Sequence, residues 1–376
     1  MIPLRVRRAL ETFTHPHTLD QVGTAFRRTW TGELVGTVTA VEQLTPRSVA
    51  ITVRTNSAWP GHIAGQYVPV GFEIDGRRET RTYSLTNASS RPGLQHVSFA
   101  VQRVDGGLVS NALNDRLNIG ATLYLGQPMG EFTLSGGGAS GGDATATGDS
   151  ATPLLFIGGG SGMTPIRGLL AELIERRERT GAAPETTVIA YAPSAAERLF
   201  DSELSDAERR YPWLTVHRID LATAVSDDDP NKLGPELLDR LCADWRTRRA
   251  FACGPAGLLD GAEATFASAG VRDHLTVERF TRLLPPSDGH AAELVTVSLR
   301  TAARTLTLRT DTALLDSIEA AGQLAPSGCR NGICHTCSVE LLEGCAINLR
   351  DGRVSEAGSH VQLCICAPLT DLTLAL

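Results

Sequence analysis

Three cysteines near the carboxyl end constrain this chain more than any other feature of its sequence. Cys329, Cys334 and Cys337 follow the pattern C-x4-C-x2-C, and a fourth cysteine stands 27 positions after the third. This is a ligand pattern for a [2Fe–2S] cluster, which cysteine thiolates hold. Gly328 and Gly332 suit a loop around such a cluster, because a residue without a Cβ tolerates positive φ and close approach.

The fourth ligand and the metal each have an alternative. Cys364 and Cys366 both follow the loop, and an extended segment would place both side chains on one face, so geometry alone does not choose between them. Zinc is the main rival of iron, since four cysteines also build structural zinc sites. Zinc sites favour paired C-x2-C knuckles, and only one such pair exists here, so the spacing favours iron and sulfur.

Length and composition exclude several classes of protein. A chain of 376 residues is long enough for two or three domains. The net charge of −7 argues against a general nucleic-acid binder, which needs a basic surface. We expect no membrane span and no secretion, because there is no apolar run of about 18 residues and no secretory segment near Met1. Eight cysteines, four of them assigned to a cluster, fit a reducing cytoplasm.

Sequence patterning divides the first half of the chain into three segments. Residues 1–33 mix basic and apolar residues; we interpret them as an N-terminal extension packed on the first domain, with contact to a membrane or an acidic partner as the alternative. Residues 34–134 contain many short alternating segments, which predicts an antiparallel β-barrel. Within them, Ser110 is a candidate N-cap of a helix that runs through Leu117. Residues 135–152 lack large side chains and are predicted to be a flexible insert or linker.

A different pattern begins at Pro153. Residues 154–157 are continuously apolar, as in a parallel strand that is buried on both faces. Glycines follow at 158–160 and 162, with Thr164 as a candidate N-cap of the next helix. Strands then alternate with helices through residue 283, which predicts a doubly wound parallel sheet. Residues 284–292 form a predicted linker, and residues 293–376 contain a hairpin, a short helix and the cysteine loop.

The glycine loop predicts a nucleotide site, because a loop between a strand and a helix can bind a pyrophosphate, although such loops also serve plain turns. The second strand ends without the acidic residue that NAD-binding folds use for the ribose. Ser194 and Arg198 could instead meet a 2′-phosphate, which favours NADPH; a solvated Arg198 is the alternative. Cys253 ends another predicted strand, where it either lies near a transferred hydride or is merely buried.

One barrel segment, Arg81-Thr82-Tyr83-Ser84, combines a cation, an aromatic ring and a hydroxyl. In an extended strand Arg81 and Tyr83 share a face. Arginine can pair with a phosphate while tyrosine covers a flat ring system, although such a pair is commonly only packing and solvated charge.

Taken together, these motifs resemble the ferredoxin–NADP reductase superfamily, specifically reductases fused to a C-terminal plant-type ferredoxin domain. The resemblance spans residues 34–376 and rests on residues 81–84, 159–165 and 253–255 and on the cysteine set. It implies a multidomain protein with an antiparallel FAD-binding β-barrel, an α/β doubly wound parallel sheet for the nicotinamide, and a β-grasp, ferredoxin-like α+β domain. The ferredoxin register, with the last ligand four residues before Pro368, selects Cys364, and Cys366 then becomes a buried small residue.

The resemblance also implies roles for individual residues. Arg81 would hold the FAD pyrophosphate, Tyr83 would lie along the isoalloxazine, and Ser84 would bond near flavin N5. Thr164 and Cys253 would flank the nicotinamide. We take Ser84, Cys253 and Phe280 as the catalytic set, with the segment Glu278-Arg279-Phe280 returning to the flavin face. The remaining implied cofactor contacts are Thr82, Val101, Gln102, Gly107, Leu108, Val109, Ser110, Gly159, Gly160, Gly162, Gly254 and Pro255.

The implied activity is that of an NAD(P)H:acceptor oxidoreductase that passes electrons through FAD and a [2Fe–2S] cluster to a terminal oxygenase. Residues 8–17 resemble actinobacterial reductases that serve membrane di-iron acyl-CoA desaturases or alkane hydroxylases. We therefore expect a cytoplasmic monomer, brought to the inner face of the membrane through its partner. A soluble Rieske-type oxygenase is the alternative acceptor. A zinc-containing regulatory or binding protein with a vestigial nucleotide site is the alternative from another class.

Overall fold

A computed structural model of the protein describes residues 34–135, 152–221, 231–280, 293–328, 330, 332, 335–349 and 352–376. The predicted N-terminal extension, nearly all of the predicted insert and the predicted linker lie outside these residues. The chain divides into two compact units, Met1–Arg78 with Tyr83–Glu278, and Glu79–Thr82 with Arg279–Leu376. The domain limits drawn from the sequence stay a prediction. None of the described helices is both long and apolar enough to cross a membrane.

The first sheet has six strands, β1 to β6, at Val35–Thr45, Ser48–Thr55, Tyr67–Ile74, Arg77–Ser84, His96–Gln102 and Thr122–Leu125. Their order is β4-β3-β6-β1-β2-β5, and β1 pairs antiparallel with both β2 and β6. Leu85, just after β4, bridges Phe99 on β5, so the two edges of the sheet meet as in a barrel. Alternating side chains such as Ile51 and Val53 are fully buried inside, as the sequence pattern predicted.

The second sheet has five parallel strands, and in the described part of the chain four α-helices lie between them. Strands β7 to β11 are Leu154–Gly159, Thr186–Ala192, Leu214–Asp220, Arg249–Cys253 and Leu275–Glu278. Helix α1, Leu108–Asp115, belongs to the barrel; helices α2 to α5 here are Met163–Thr180, Asp201–Arg210, Pro235–Leu241 and Ala256–Ser268. The order β11-β10-β7-β8-β9 confirms the doubly wound prediction. The strand order reverses between β7 and β10, and open α/β sheets bind ligands at such a point.

Both N-cap predictions were wrong, because each hydroxyl bonds to the chain that precedes its helix. Ser110 is the third residue of α1, and its Oγ accepts a hydrogen bond from the N–H of Val104 at 3.2 Å. Thr164 is the second residue of α2, and its Oγ1 donates to the carbonyl of Ser161 at 2.8 Å. A glycine directly precedes each helix instead.

The described residues of the carboxyl-terminal part form a mixed sheet, a small second sheet and one α-helix. Strands β12 and β13 are Leu294–Leu299 and Arg304–Arg309, and helix α6 is Leu314–Ala320. Strands β14 to β19 are Ser338–Glu343, Cys345–Asn348, Val354–Glu356, His360–Gln362, Cys366–Pro368 and Leu372–Leu374. The larger sheet has the order β13-β12-β19-β14-β17, in which β12 and β19 run parallel, and β15 pairs with β16 and β18 in a small second sheet. Leu314, Leu315 and Ile318 bury one face of α6 in the core of this unit, which is the predicted β-grasp arrangement.

Candidate functional site

At the switch point of the parallel sheet, the loops after β7 and β10 pack backbone against backbone. A Cβ at Gly162 would overlap the carbonyl of Cys253, and a Cβ at Gly254 would lie 3.1 Å from the N atom of Gly159. A Cβ at Gly159 would lie 2.8 Å from the side chain of Leu258. The backbone packing therefore requires glycine at position 162, while a Cβ at position 159 or 254 would make a contact tighter than usual.

Gly160 is the glycine of this loop that faces open space. Its φ is 54°, and the nearest atom to a Cβ there would be Oε1 of Gln102, at 3.9 Å. It begins the short 3-10 helix Gly160–Gly162 that leads into α2. Backbone N–H groups and the positive end of a helix form an anion site, so this loop fits a pyrophosphate. Thr164 is buried beneath the loop, and Pro255 is exposed in front of α5.

A buried thiol and a carboxyl face each other across β10 and β11, where Cys253 pairs in register with Glu278. Burial raises the pKa of Glu278 to about 8, and its Oε2 has no hydrogen-bond partner among the residues that the structure describes. Burial, together with the neighbouring Glu278, raises the pKa of the Cys253 thiol well above its ordinary value. Both groups therefore hold their protons near neutral pH. The resemblance placed Glu278 in the segment that returns to the flavin face, but Phe280, two residues later, was the residue selected from that segment.

On the barrel, Tyr83 and Ser84 occupy the end of β4. The Tyr83 ring stacks on Phe99, with centroids 5.3 Å apart and planes 21° apart. Ser84 is buried, and within the described ranges no hydrogen-bond partner reaches its Oγ. A buried hydroxyl of this kind is costly unless something else bonds to it. This unsatisfied atom therefore fits a ligand such as the flavin.

The other candidates on and after the barrel strands differ in exposure. Val101 is fully buried in the barrel core, so its side chain is not available to a ligand. Gly107 is extended in front of α1, and a Cβ there would lie 2.5 Å from Oγ of Ser110. Leu108 is exposed and Val109 is buried, and the N–H groups of the first turn of a helix have no partner within the helix, which suits an anion.

Three further candidates belong to the second compact unit. Arg81 donates from Nη1 to the carbonyl of Thr80 at 2.7 Å and lies 3.7 Å from the carboxylate of Glu79. Thr82 is half-buried on the same strand. Phe280 is exposed, two residues after the end of β11.

The residues proposed for nucleotide selectivity follow β8. Ser194 is half-buried and precedes the 3-10 helix Ala195–Glu197. The Arg198 side chain is only 5% exposed; it pairs with Asp220 and lies 3.5 Å from Asp201. The solvated interpretation of Arg198 is therefore wrong. Its contact with a 2′-phosphate stays a prediction; Nε of Arg198 is buried and has no hydrogen-bond partner among the described residues.

Two of the four predicted cluster ligands lie among the described residues. Cys337 and Cys364 are buried, while Cys329 and Cys334 lie outside the described residues. Sγ of Cys364 accepts a hydrogen bond from the N–H of Gly332 at 3.3 Å, and the φ of Gly332 is 71°. Hydrogen bonds to the sulfurs are one means by which proteins tune the reduction potential of iron–sulfur clusters. The buried thiols and the N–H of Gly332 beside Cys364 therefore fit a [2Fe–2S] cluster.

The surroundings of the loop favour Cys364 over Cys366. Cys366 is buried in β18, where it pairs with Asn348 of β15.

Arg330, in the loop itself, has a φ of 57° and donates to Glu319 on α6 at 2.7 Å. This ion pair ties the loop to the helix of the same unit.

Comparison with known proteins adds two domain matches. Residues 37–134 match the oxidoreductase FAD-binding domain, and residues 300–369 match the 2Fe-2S iron-sulfur cluster binding domain. The latter match rejects the zinc alternative.

Relatives cover most of the chain. An NADPH oxidoreductase of Mycobacterium tuberculosis is 31% identical over 347 residues, which are 91% of this chain and 84% of the relative. The reductase subunit of the glycine betaine monooxygenase of Chromohalobacter salexigens is 23% identical, over 81% of this chain and 84% of its own. A solved phthalate dioxygenase reductase superposes with a TM-score of 0.58 at 20% identity, covering 93% of this chain and 99% of its own, which shows a shared fold.

Proposed function

The chain belongs to the ferredoxin–NADP reductase superfamily, among the reductases fused to a C-terminal ferredoxin domain, and we propose that it delivers electrons from NAD(P)H to a terminal oxygenase. It is an NAD(P)H oxidoreductase of the FAD and [2Fe–2S] type. One observation carries the proposal: a flavin barrel, a parallel nucleotide sheet and a cluster domain follow one another in a single chain. The names of a monooxygenase reductase subunit and of a dioxygenase reductase among the similar proteins support the acceptor class.

Bound FAD accepts a two-electron hydride and the [2Fe–2S] cluster accepts single electrons, so the cofactors supply the redox chemistry and the chain supplies binding and orientation. In our proposal the unsatisfied Ser84 hydroxyl bonds to the reacting edge of the flavin. Tyr83, already stacked on Phe99, presents a flat surface to the ring system. Cys253 and Glu278 form an uncharged wall beside the nicotinamide and exclude water from it.

Anion sites on both domains would hold the phosphates. Arg81 and the first turn of α1 are proposed for the FAD pyrophosphate, and Gly160 with the start of α2 for the nicotinamide dinucleotide. Phe280 keeps its proposed place at the flavin face. Cys329, Cys334, Cys337 and Cys364 are the proposed iron ligands.

We propose NADPH as the preferred donor. The end of β8 carries no acidic residue, Ser194 and Arg198 follow it, and a relative is named an NADPH oxidoreductase. The ratio of kcat/KM for NADPH to that for NADH should exceed about tenfold, by analogy with selectivities set by one charged contact. A ratio below one would refute this preference.

A membrane di-iron desaturase or hydroxylase is our finer proposal for the acceptor, supported by the resemblance of residues 8–17. It should be tested by supplying NADPH, the purified reductase and either a di-iron enzyme in membranes or a soluble Rieske-type oxygenase, and measuring product per NADPH consumed. Coupled turnover with the di-iron enzyme is expected. Coupling with the Rieske enzyme alone would instead establish the alternative acceptor.

A further inference from the structure

Helix α2 of the nucleotide domain meets the barrel at a glycine. A Cβ at Gly168 would lie 2.6 Å from the carbonyl oxygen of Leu85, 3.4 Å from the N atom of Gly65 and 3.5 Å from the carbonyl oxygen of Asn87. All three are backbone atoms, which cannot swing aside as the end of a side chain can. Gly168 therefore stands at a backbone-to-backbone contact between two domains of the first unit.

Polar contacts from α2 hold the same barrel loop on both sides of this glycine. We call residues 85–90, directly after β4, the seam loop. Arg167 donates to the carbonyl of Thr86, and Oε2 of Glu172 accepts the N–H of Ser89 at 2.8 Å. A second bond from Arg167, to Glu203 at 2.8 Å, fixes the guanidinium.

The barrel braces the seam loop from its other face. Oγ of Ser90 accepts from Nε1 of Trp59 at 3.1 Å and bonds to Nδ1 of His62 at 2.7 Å. Trp59 and His62 are both buried, and burial lowers the pKa of His62 to about 4, so this ring is neutral at ordinary pH. The loop is thus held between two domains with little freedom to adjust.

We propose that Gly168, with Arg167 and Glu172, forms a positioning seam that sets the distance between the barrel and the nucleotide domain, and with it the alignment of nicotinamide and flavin. The inference rests on the proposed function of the two domains. The seam loop continues directly from Tyr83 and Ser84, and α2 continues directly from the glycine loop. A displacement at Gly168 therefore reaches both proposed cofactor sites.

The size of the expected effect follows from the geometry. To reach an ordinary contact of about 3.4 Å, an alanine at 168 must separate α2 and the Leu85 carbonyl by about 0.8 Å. A misplacement of about 1 Å far from the chemistry can lower a transfer rate by about 100-fold.

The test compares Gly168→Ala with Gly257→Ala, a helical glycine of α5 where a Cβ would meet nothing within 4 Å. In anaerobic stopped-flow experiments, Gly168→Ala should lower the saturating rate of FAD bleaching by NADPH at least about tenfold, with the apparent Kd for NADPH changed less than about threefold. Crystal structures should show α2 moved away from Leu85 in Gly168→Ala. Gly257→Ala should match the native protein in both measurements.

Each other outcome has a defined meaning. A rate for Gly168→Ala within about twofold of the native value, or an equal loss in Gly257→Ala, overturns the proposal. If Gly168→Ala does not fold, Arg167→Gln decides: a slow rate at unchanged Kd supports the seam, and a native rate overturns it. If NADPH and NADH both fail to bleach the native protein, the proposed function is wrong, and that result is distinct from failure of the seam.

Discussion

At the scale of single residues, Glu278 of the nucleotide domain is half-buried, but its carboxyl Oε2 is closed off from solvent and has no hydrogen-bond partner among the described residues. Glu278 ends β11 next to the Cys253 thiol, and burial raises its pKa to about 8. A protonated carboxyl at this place keeps the proposed nicotinamide site free of negative charge. The molecule loses stability in return, because the unfolded chain would ionise this group freely.

The cost of Glu278 predicts a pH dependence of stability. Below its ordinary pKa of 4.5 the carboxyl is protonated in both the folded and the unfolded chain. As the pH rises from there to about 8, only the unfolded chain releases the proton, so the free energy of unfolding falls by up to about 1.4 kcal/mol per pH unit. Glu278→Gln removes this contribution. Urea denaturation from pH 5 to 9 should therefore show a flatter profile and a higher stability at pH 8 for Glu278→Gln.

The matched control for this prediction is Glu131→Gln, which replaces an exposed carboxylate of the same unit. It should keep the slope of the native protein. Identical slopes for Glu278→Gln and the native protein would show that Glu278 is ionised in the folded state, contrary to the account.

The sequence identified the residue types of the site better than their surroundings. Cys253 and Ser84 were selected from their motifs, and the structure finds both of them buried. The resemblance placed the segment of Glu278 at the flavin face, but the pairing of Glu278 with Cys253 was not predicted, because it depends on the packing of β10 beside β11, which no local pattern reveals. The Ser110 and Thr164 caps were wrong for a related reason, since a hydroxyl bonds to whichever backbone group the preceding loop presents.

At the scale of elements, glycines set the close contacts between loops. Gly332 combines a φ of 71° with a Cβ position 2.6 Å from the side chain of Ile365, in the loop of the predicted cluster ligands. Its N–H also bonds to Cys364. A residue with a Cβ would be strained by its backbone conformation and would push against the segment that carries Cys364.

We therefore expect Gly332→Ala to lower the iron and sulfide content of the purified protein to less than about half, because backbone strain and the clash act together on the loop. Gly358→Ala is the control: its φ is 86°, but a Cβ there would meet nothing within 4 Å. It should lose about 1 kcal/mol of stability and keep its iron. Equal iron in the two variants would contradict the assigned role of Gly332.

Local patterns predicted the elements well but not their partners. The apolar run at β7 and the alternation along β2 predicted a buried parallel strand and a barrel strand, and both were confirmed. The seam at Gly168 could not be predicted from the sequence. Local pattern indicates only that a glycine inside a helix lowers helix stability by about 1 kcal/mol relative to alanine. Glycine is needed at this position because of the carbonyl of Leu85, which is distant in sequence and comes close to α2 only after the two domains fold.

At the scale of the whole molecule, the chain joins three architectures, which are a flavin barrel, a parallel nucleotide sheet and a cluster domain. The barrel and the parallel sheet form one compact unit with the switch point, the seam and the unsatisfied Ser84 hydroxyl. The β-grasp domain contributes the cysteine loop. The chain thereby combines an FAD domain, for a two-electron hydride, with a [2Fe–2S] domain, for single electrons. This combination is expected of a reductase that serves an oxygenase.

The most direct test of this account is low-temperature EPR of the anaerobic protein, frozen after addition of excess NADPH. We expect the signal of a reduced [2Fe–2S] cluster in the native protein and its loss in Cys334→Ser, whose FAD absorbance NADPH still bleaches. Bleached flavin without a cluster signal, in native protein that contains FAD and iron, would refute the proposed electron transfer, and so would zinc in place of iron in a metal analysis.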